Sequence, residues 1–454
     1  MYKSVTIMGL TGPDEIPDLI NDCNPVRTVT IMDSRFQEKC YLVGGAVRDA
    51  LLGLQAADRD WVVIGSSVEE MLSRGFIAVG RDFPVFLHPE SKEEYALARR
   101  ERKTAPGYRG FETSAESDVT LEDDLSRRDL TINAMAQSLD GRLIDPHGGA
   151  RDLDAKILRH VSPAFSEDPL RVLRVARFAA RYAHRGFVVA PETITLMMQI
   201  SESGELQALT PERVWRETVS ALSEQTPAEF FSVLKACGAL GEIFPELNQL
   251  RDVPQRPDFH PEGDVYTHTM MALEAATSLC ADTEVRFAAL VHDLGKAATP
   301  ENEWPKHIQH ERRGVELVKT LCDRLRVPAD FKELACRVTA EHLLMHRLSE
   351  LRPETVLELL NRLDGFRRPE RIAPFVLACH ADAQGRGEGL PIDYSSGELI
   401  QTYLEAARSV DLSALSDSTL LPEEKKRYVS ARRIEAIESV HQNTASNTTP
   451  RPSR

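Results

Sequence analysis

The spacing of hydrophobic and polar positions changes about one third of the way along the chain. From residue 41 to about 150, apolar residues come in short bursts broken by glycine and charge. YLVGGAVRDALLG (41–53) predicts a strand, a glycine turn and a helix, and DRDWVVIG (58–65) predicts a strand. GFIAVG (75–80), FPVFLH (83–88) and EEYALARRE (93–101) predict further short strands, and GRLIDPHGG (141–149) predicts a closing turn. From 151 onward strand signals almost vanish. SEDPLRVLRVARFAARYAHR (166–185) opens with a Ser-x-Asp start and Pro169, and Leu170, Leu173 and Ala176 then fall at helical spacing, as do Arg171, Arg174 and Arg177. Stretches 210–224, 227–247, 269–280 and 284–297 continue the helices, the last one ended by glycine and Pro300. Residues 1–40 show one weak β-like run, VRTVTIM (26–32), and residues 441–454 are polar and rich in Pro, Ser and Thr, which predicts disorder. There is no internal repeat.

At 454 residues the chain exceeds one ordinary core, so several domains are expected. No stretch approaches the roughly 20 apolar residues of a membrane span, and the N-terminus lacks a basic run followed by an apolar one. Seven scattered cysteines without a CxxC pair fit a reducing cytoplasm. A net charge of −15 argues against a protein that coats nucleic acid indiscriminately, although arginines cluster at 99–103, 127–129 and 171–185.

DRDWVVIG carries the first chemical signal. On a strand, Asp58 and Asp60 share a face and Arg59 points away. Two carboxylates on one face suit a hard divalent cation, Mg²⁺ when phosphate is the other ligand, which also relieves their repulsion. A bare Asp-x-Asp equally describes a solvated strand end. Upstream, however, Gly44 and Gly45 let backbone N–H groups approach a ligand, the following helix offers its positive end to phosphate, and Arg48 adds charge. A glycine turn, an arginine and a strand-borne acid pair, in that order, describe a nucleotidyl-transfer pocket.

With these residues in view, LVGGAVRDALLG…DRDWVV, RRDLTINAMA (127–136) and EDPLRVLRVARFAARY (167–182) resemble motifs of the class II tRNA nucleotidyltransferases, or CCA-adding enzymes, of the polymerase β superfamily, in the form that carries an HD domain. The likeness runs from about Tyr41 to about residue 410. It implies a polymerase β-like α/β head with a mixed sheet, then all-α neck, body and HD domains. The expected divisions are an extension at 1–40, head at 41–160, neck and body at 161–262, HD domain at 263–366, helical tail at 367–440 and a disordered end at 441–454. It implies Mg²⁺ on Asp58 and Asp60, the triphosphate at Gly45 and Arg48, phosphate at Arg128, the ribose 2′-hydroxyl at Asp129, and nucleotide at Arg174 and Arg177. In EDPLR, Asp168 and Arg171 are three apart at a helix start and so are expected to share a face, with Glu167 orienting Arg171. A carboxylate acceptor beside a guanidinium donor matches the edges of cytosine and adenine and opposes those of uracil and guanine. Without the other motifs, the same stretch is a capped helix with a solvated arginine stripe.

A second site is expected farther on. His292 and Asp293 are adjacent on a predicted helix with Lys296 one turn later, His268 lies upstream and Asp382 downstream. This order resembles the HD phosphohydrolase superfamily. It implies a divalent transition metal such as nickel, and 2′,3′-cyclic phosphodiesterase, 2′-nucleotidase and phosphatase activities. His310, His342 and His346 are further candidates, and His342 and His346 share a helical face. Where the related segment often reads Gly-His-Glu, this chain has Gln309. The expected partners are CTP, ATP and the acceptor end of tRNA, with no membrane; monomer and homodimer are both open. The competing readings are a bacterial poly(A) polymerase with the same head and a catalytically silent RNA-binding protein.

Overall fold

The computed structural model describes residues 32–55, 58–79, 85–103, 111–114, 118–387, 392, 394–415 and 420–447. The run VRTVTIM and residues 1–31 lie outside the described residues, except for Met32. The first part is a seven-stranded sheet built from β1 (Cys40–Val43), β2 (Asp60–Val63), β3 (Ile77–Val79), β4 (Val85–Leu87), β5 (Glu94–Leu97), β8 (Ala136–Ser138) and β9 (Leu143–Ile144) in the order β3-β4-β5-β2-β1-β8-β9. A separate hairpin, β6 (Arg100–Lys103) and β7 (Phe111–Ser114), falls between β5 and β8 in sequence. Only β2 and β5 run parallel within the large sheet, so it is mixed as expected.

Period-two alternation sets the two faces of this sheet. Trp61, Val63, Tyr95 and Leu97 point into one core with Phe36, Met71, Phe76 and Phe86, whereas Val43 and Val62 point into another with Leu121, Leu125, Ala134 and Ala136. Asp60 alternates with Trp61, so it projects on the Val62 side. Helices α1 (Ser34–Gln37), α2 (Gly45–Leu51), α3 (Val68–Ser73), α4 (Leu121–Ser126) and α5 (Gly149–Asp154) accompany the sheet. Two features revise expectation. The proposed extension reaches residue 40, yet Phe36 of α1 is fully buried in the head core, and Asp33 caps α1 and binds Arg74 at 2.9 Å. Its last residues therefore belong to the head.

The rest is helical: α6 (Leu170–Tyr182), α7 (Pro191–Glu202), α8 (Pro211–Leu222), α9 (Ala228–Ala236), α10 (Ala239–Ile243), α11 (Pro245–Asn248), α12 (Val265–Leu279), α13 (Thr283–Val291), α14 (His310–Leu325), α15 (Ala329–His346), α16 (Pro353–Arg362), α17 (Ile372–Gln384), α18 (Ser396–Arg408) and α19 (Pro422–Asn447). A two-residue parallel pair, β10 (Ile157–Leu158) and β11 (Val188–Val189), is the junction between sheet and helices. One hydrophobic core runs without interruption from Leu130 to Ile437 through these helices. The expected disorder from 441 is corrected as far as Asn447: α19 continues through it, anchored by Tyr403, whose hydroxyl lies 3.0 Å from His441 Nδ1. No described helix is long and apolar enough to cross a membrane.

Candidate functional site

Strand register assembles the first site. β1 and β2 are antiparallel with Val43 opposite Asp60, so the glycine turn that leaves β1 and the acid pair that enters β2 meet at one sheet edge. Gly44 stands at φ 67° and ψ −127°, a conformation open to glycine and strained for other residues, and Gly45 begins α2. Asp58 lies just before β2, not on it, and both aspartates are exposed. Arg59 does turn away, 3.4 Å from Glu93 with its guanidinium 5.3 Å from the Trp61 ring centroid. Although Asp60 is open to solvent on one side, the protein packed around its carboxyl desolvates it in part and lifts it above its usual range; Arg128 pulls it back, and Asp58 adds to the rise. Two mutually repelling carboxylates at an open edge are a donor set that fits a hard cation. The register also sets Glu94 of β5 beside Asp60 on the same face, a third carboxylate that no sequence pattern had singled out.

Arginines back this edge, each matched by an acid. Arg128 donates to buried Asp124 at 3.1 Å and to the Asn133 carbonyl, and it crowds Gly44: a Cβ there would sit 2.9 Å from Arg128 Nη1. Arg48, expected at the triphosphate, is buried beneath the turn, where it donates to Asp49 at 2.8 Å and Asn133 at 2.6 Å and lies over the rings of Phe178 and Tyr182. Asp129, expected at the ribose, is also buried. Its oxygens accept from the Leu130 N–H, from Asn133 and from Arg174. Burial would raise this carboxyl, but Arg174 and these donors hold it well below the ordinary range.

The row expected along α6 fans out. Arg171 is 8 % exposed and donates to the Ala164 and Arg127 carbonyls. Arg174 meets Asp129, and Arg177 meets Glu217 of α8 at 2.7 Å. Asp168 precedes the helix with extended backbone, accepts from the Leu170 N–H at 3.0 Å, and faces Arg213 of α8 at 3.0 Å. Asp168 and Arg171 thus have different polar partners in the structure. Glu167 ends the short turn Pro163–Glu167.

The second site is a buried cluster from five helices. His268 of α12, His292 and Asp293 after α13, His310 at the start of α14, His342 of α15 and Asp382 of α17 converge. His292 caps α13 and Asp293 leads into a 3₁₀ turn (Leu294–Ala298), which corrects the expectation that both lie on one helix. The cause is close packing: a Cβ on Gly295 would lie 1.9 Å from the His310 carbonyl and 2.5 Å from Gly314 N. Each histidine has Nδ1 tied to an oxygen, His268 to Glu262 at 3.0 Å, His292 to Ala289 at 2.7 Å, His310 to His307 at 2.9 Å and His342 to Val338 at 3.1 Å. Acceptor partners place the proton on Nδ1 and leave the Nε2 lone pairs facing the centre. His292 Nε2 and Asp293 Oδ1 are buried with no properly formed hydrogen bond. Burial disfavours a charged His292, yet Asp293 and Asp382 raise it to about 10, whereas burial drives His342 well below the ordinary range. A buried centre whose carboxylates draw in positive charge, and whose walls carry imidazole nitrogens, fits a divalent transition metal. Lys296 Nζ lies 2.6 Å from Asp293 Oδ2 and donates to Gln255. His346 binds Asp382 Oδ2 and Tyr394 instead of joining the centre. A cavity of about 450 Å³ opens on the cluster, with Arg256, Lys306 and Arg386 on its walls.

Family models agree with this division. Residues 40–159 match the poly A polymerase head domain, 186–250 the probable RNA and SrmB-binding site of polymerase A, and 265–382 the HD domain. A multifunctional CCA protein of Hahella chejuensis is 55% identical over 405 residues, covering 89% of this chain and 96% of that protein. One from Thioalkalivibrio sulfidiphilus is 54% identical over 402 residues, covering 88% and 98%. The chain belongs to the multifunctional CCA protein family. Its fold is also that of two solved CCA-adding enzymes. A Thermotoga maritima enzyme complexed with tRNA has a TM-score of 0.59 at 19% identity, covering 93% of this chain and 98% of that one. A Bacillus stearothermophilus enzyme in complex with CTP has a TM-score of 0.58 at 21% identity, covering 90% and 94%. Within this family member, sequence reasoning missed the residues that hold the arginines and the clustered histidines. Asp124 is four residues before Arg128, a legible helical pairing, and Glu262 lies six before His268. Arg213 and Glu217 carry no local signal, because their partners are about 40 residues away.

Proposed function

We propose that this family member adds and repairs the 3′-terminal CCA of tRNA from CTP and ATP without a nucleic-acid template, and that its HD cluster is a separate phosphohydrolase. The single observation behind the first part is the Val43–Asp60 register, which sets a phosphate-cradling glycine turn against a carboxylate pair, with Arg128 behind both. In the reaction, the tRNA 3′-oxygen bonds to the α-phosphorus while the α–β anhydride bond breaks, and pyrophosphate leaves with the electron pair. Asp58 and Asp60, with Glu94 alongside, would hold Mg²⁺, whose charge would steady the triphosphate and acidify the attacking hydroxyl. Gly44 and Gly45 offer backbone to the phosphates, and Arg128, Arg174 and Arg177 present charge fixed in place by Asp124, Asp129 and Glu217. Asp168 supplies the acceptor for a base amine, steadied by Arg213.

At the HD cluster, His268, His292, Asp293 and Asp382 would hold a divalent transition metal such as nickel, which would supply an activated water. Lys296 and the basic cavity wall favour a phosphoester, which supports 2′,3′-cyclic phosphodiesterase, 2′-nucleotidase and phosphatase activities. The test is nucleotide use by purified protein on tRNA ending at the discriminator base. CTP and then ATP incorporation is expected; tailing of any RNA with ATP alone would favour a poly(A) polymerase. Asp60→Ala should abolish addition and spare phosphatase activity, and Asp293→Ala the reverse. Loss of both activities by either substitution would refute the two-site reading. Light scattering of the same preparation decides between monomer and homodimer.

A further inference from the structure

Building on the nucleotidyl-transfer reading, we propose that Asn133 is a positioning residue for nucleotide binding, whose side-chain amide fastens the arginine under the glycine turn to the carboxylate that holds Arg174. Asn133 ends a 3₁₀ turn (Thr131–Asn133) and is 6 % exposed. Its amide oxygen accepts from Arg48 Nη1 at 2.6 Å, its amide nitrogen donates to Asp129 Oδ1 at 3.0 Å, and its backbone carbonyl accepts from Arg128 Nη1 at 3.3 Å. The other oxygen of Asp129 receives Arg174 at 2.8 Å. One residue thus meets, directly or through a single carboxylate, three arginines that arrive from α2, from just beyond α4 and from α6. The glycine turn lies against the same residues: the Gly44 N–H donates to the Met135 carbonyl at 3.3 Å, and a Cβ on Gly45 would stand 3.4 Å from Arg48 Nη2.

Donor and acceptor chemistry explains why this position is asparagine. A guanidinium only donates and an ionised carboxylate only accepts, so a side chain between them must present an acceptor to one and a donor to the other. Against the lift from burial, Arg174 and Asn133 hold the Asp129 carboxyl well below the ordinary range, so it is ionised. Aspartate has the shape of asparagine but would turn a second carboxylate on Asp129, and alanine would leave a buried guanidinium N–H and a buried carboxylate oxygen each short of a partner. The turn itself does not need this amide. The Thr131 hydroxyl donates to Asp152 at 2.8 Å, the Thr131 N–H donates to the Arg159 carbonyl at 2.9 Å, and the Asn133 N–H donates to the Leu130 carbonyl at 2.9 Å. What the amide orients is positive charge for the part that CTP and ATP have in common, the triphosphate. Asp168 and Arg213, which the transfer reading gives to the base, pair with each other at 3.0 Å.

The experiment compares Asn133→Ala, Asn133→Ser and Asn133→Asp with the parent chain in Mg²⁺, measuring CTP incorporation on tRNA ending at the discriminator base and ATP incorporation on tRNA ending in CC. Asn133→Ala is expected to raise KM for CTP and for ATP by one common factor, roughly 10-fold, the worth of a hydrogen bond to a charged group. KM for tRNA, the order of C before A and phosphatase activity should stay as in the parent. Asn133→Ser, whose hydroxyl both donates and accepts, should fall between the parent and Asn133→Ala. Asn133→Asp should bind nucleotide no better than Asn133→Ala despite its shape. Asn133→Asp with the parent's KM for both nucleotides would overturn the proposal, because shape alone would then suffice. So would a loss of kcat at unchanged KM in all three variants, the mark of a residue that only holds the fold. A parent chain that incorporates neither nucleotide would remove the transfer reading itself.

Discussion

Replacing Gly44 with alanine tests how the glycine turn and Arg128 work together. Two separate costs can be read from the structure. The backbone at φ 67° and ψ −127° strains any residue with a Cβ by about 1–3 kcal/mol, which falls on the stability of the head. The added Cβ would also stand 2.9 Å from Arg128 Nη1, and that guanidinium is already held by Asp124 at 3.1 Å and by the Asn133 carbonyl at 3.3 Å. It can give way only by leaving one of them, and so by leaving the position from which it is proposed to reach a phosphate. A hydrogen bond to a charged group is worth about 1.5–3 kcal/mol, which corresponds to roughly 10- to 150-fold in kcat/KM. Gly53→Ala is the matched control, because Gly53 also has a positive φ of 69° but a Cβ there would meet nothing within 4 Å. The assay is steady-state CTP incorporation on tRNA lacking CCA, with phosphatase activity as the internal measure of folded protein. Gly44→Ala should lose transfer by that factor, Gly53→Ala should lose only thermal stability, and both should keep phosphatase activity. Transfer within twofold of the parent in Gly44→Ala, or an equal loss in Gly53→Ala, would refute the coupling.

Other consequences follow from the partners of the charged groups. Asp124 and Asp129 are buried carboxylates held below their ordinary range, against burial, by Arg127 and Arg128 and by Arg174 respectively. Their stabilisation is therefore complete above the unfolded carboxyl value near 3.9 and is lost as pH falls below it. Denaturation midpoints between about pH 2 and 6 should show this slope, and Asp124→Asn should flatten it while costing about 3 kcal/mol at neutral pH. Gln309 occupies a left-handed conformation, φ 59° and ψ 30°, so Gln309→Gly should stabilise the chain by about 1 kcal/mol in a urea titration; destabilisation would mean that the side chain holds the loop. Glu262→Gln keeps the shape beside His268 but removes the charge that fixes its ring, so metal affinity at the HD cluster should fall about 10- to 100-fold with transfer unchanged.

The reach of the sequence can be judged on α6 and on the HD cluster. Apolar spacing located the helix, and Leu170, Leu173 and Ala176 are buried, as are most of its residues. The same spacing suggested one arginine row, and there it misled. Three residues advance an α-helix by a little less than a turn, a drift of about 60° per step. From Arg171 to Arg177 the side chains therefore swing from the underside of the head, past Asp129, to Glu217 on the neighbouring helix. In the HD cluster the His-Asp pair was legible because its members are adjacent. His310 could be named but not placed, because what brings it to Asp293 is the contact of Gly295 with the His310 carbonyl and Gly314. A glycine of that kind reads in sequence as a helix end. Asp382 lies in α17, beyond the division drawn at 366, although α17 packs on α12, α13 and α15 and completes the cluster.

Separate chemistries do not make separable halves, and α8 shows why. From its first turn Arg213 reaches Asp168, and one turn later Glu217 holds Arg177, so this helix positions two groups of the proposed nucleotide site. Its Trp215 packs edge-on against Phe287 of α13 at 5.3 Å and Phe331 of α15 at 5.1 Å, both helices of the HD domain. At its C-terminal end, the buried guanidinium of Arg286 from α13 donates to the carbonyls of Leu222 at 2.6 Å and Glu224 at 3.0 Å. Those carbonyls are left without helical partners where the helix stops, so the HD domain satisfies them. The helix that orders the nucleotide site is thus clamped along its length and at its end by the domain that carries the hydrolase. Point changes at Asp293 alter the metal centre and leave this clamp in place. Removing the whole HD domain would expose Trp215, strand the Leu222 and Glu224 carbonyls and loosen Arg213 and Glu217 together. The expected outcome is that a chain lacking the HD domain loses nucleotide addition, whereas Asp293→Ala keeps it.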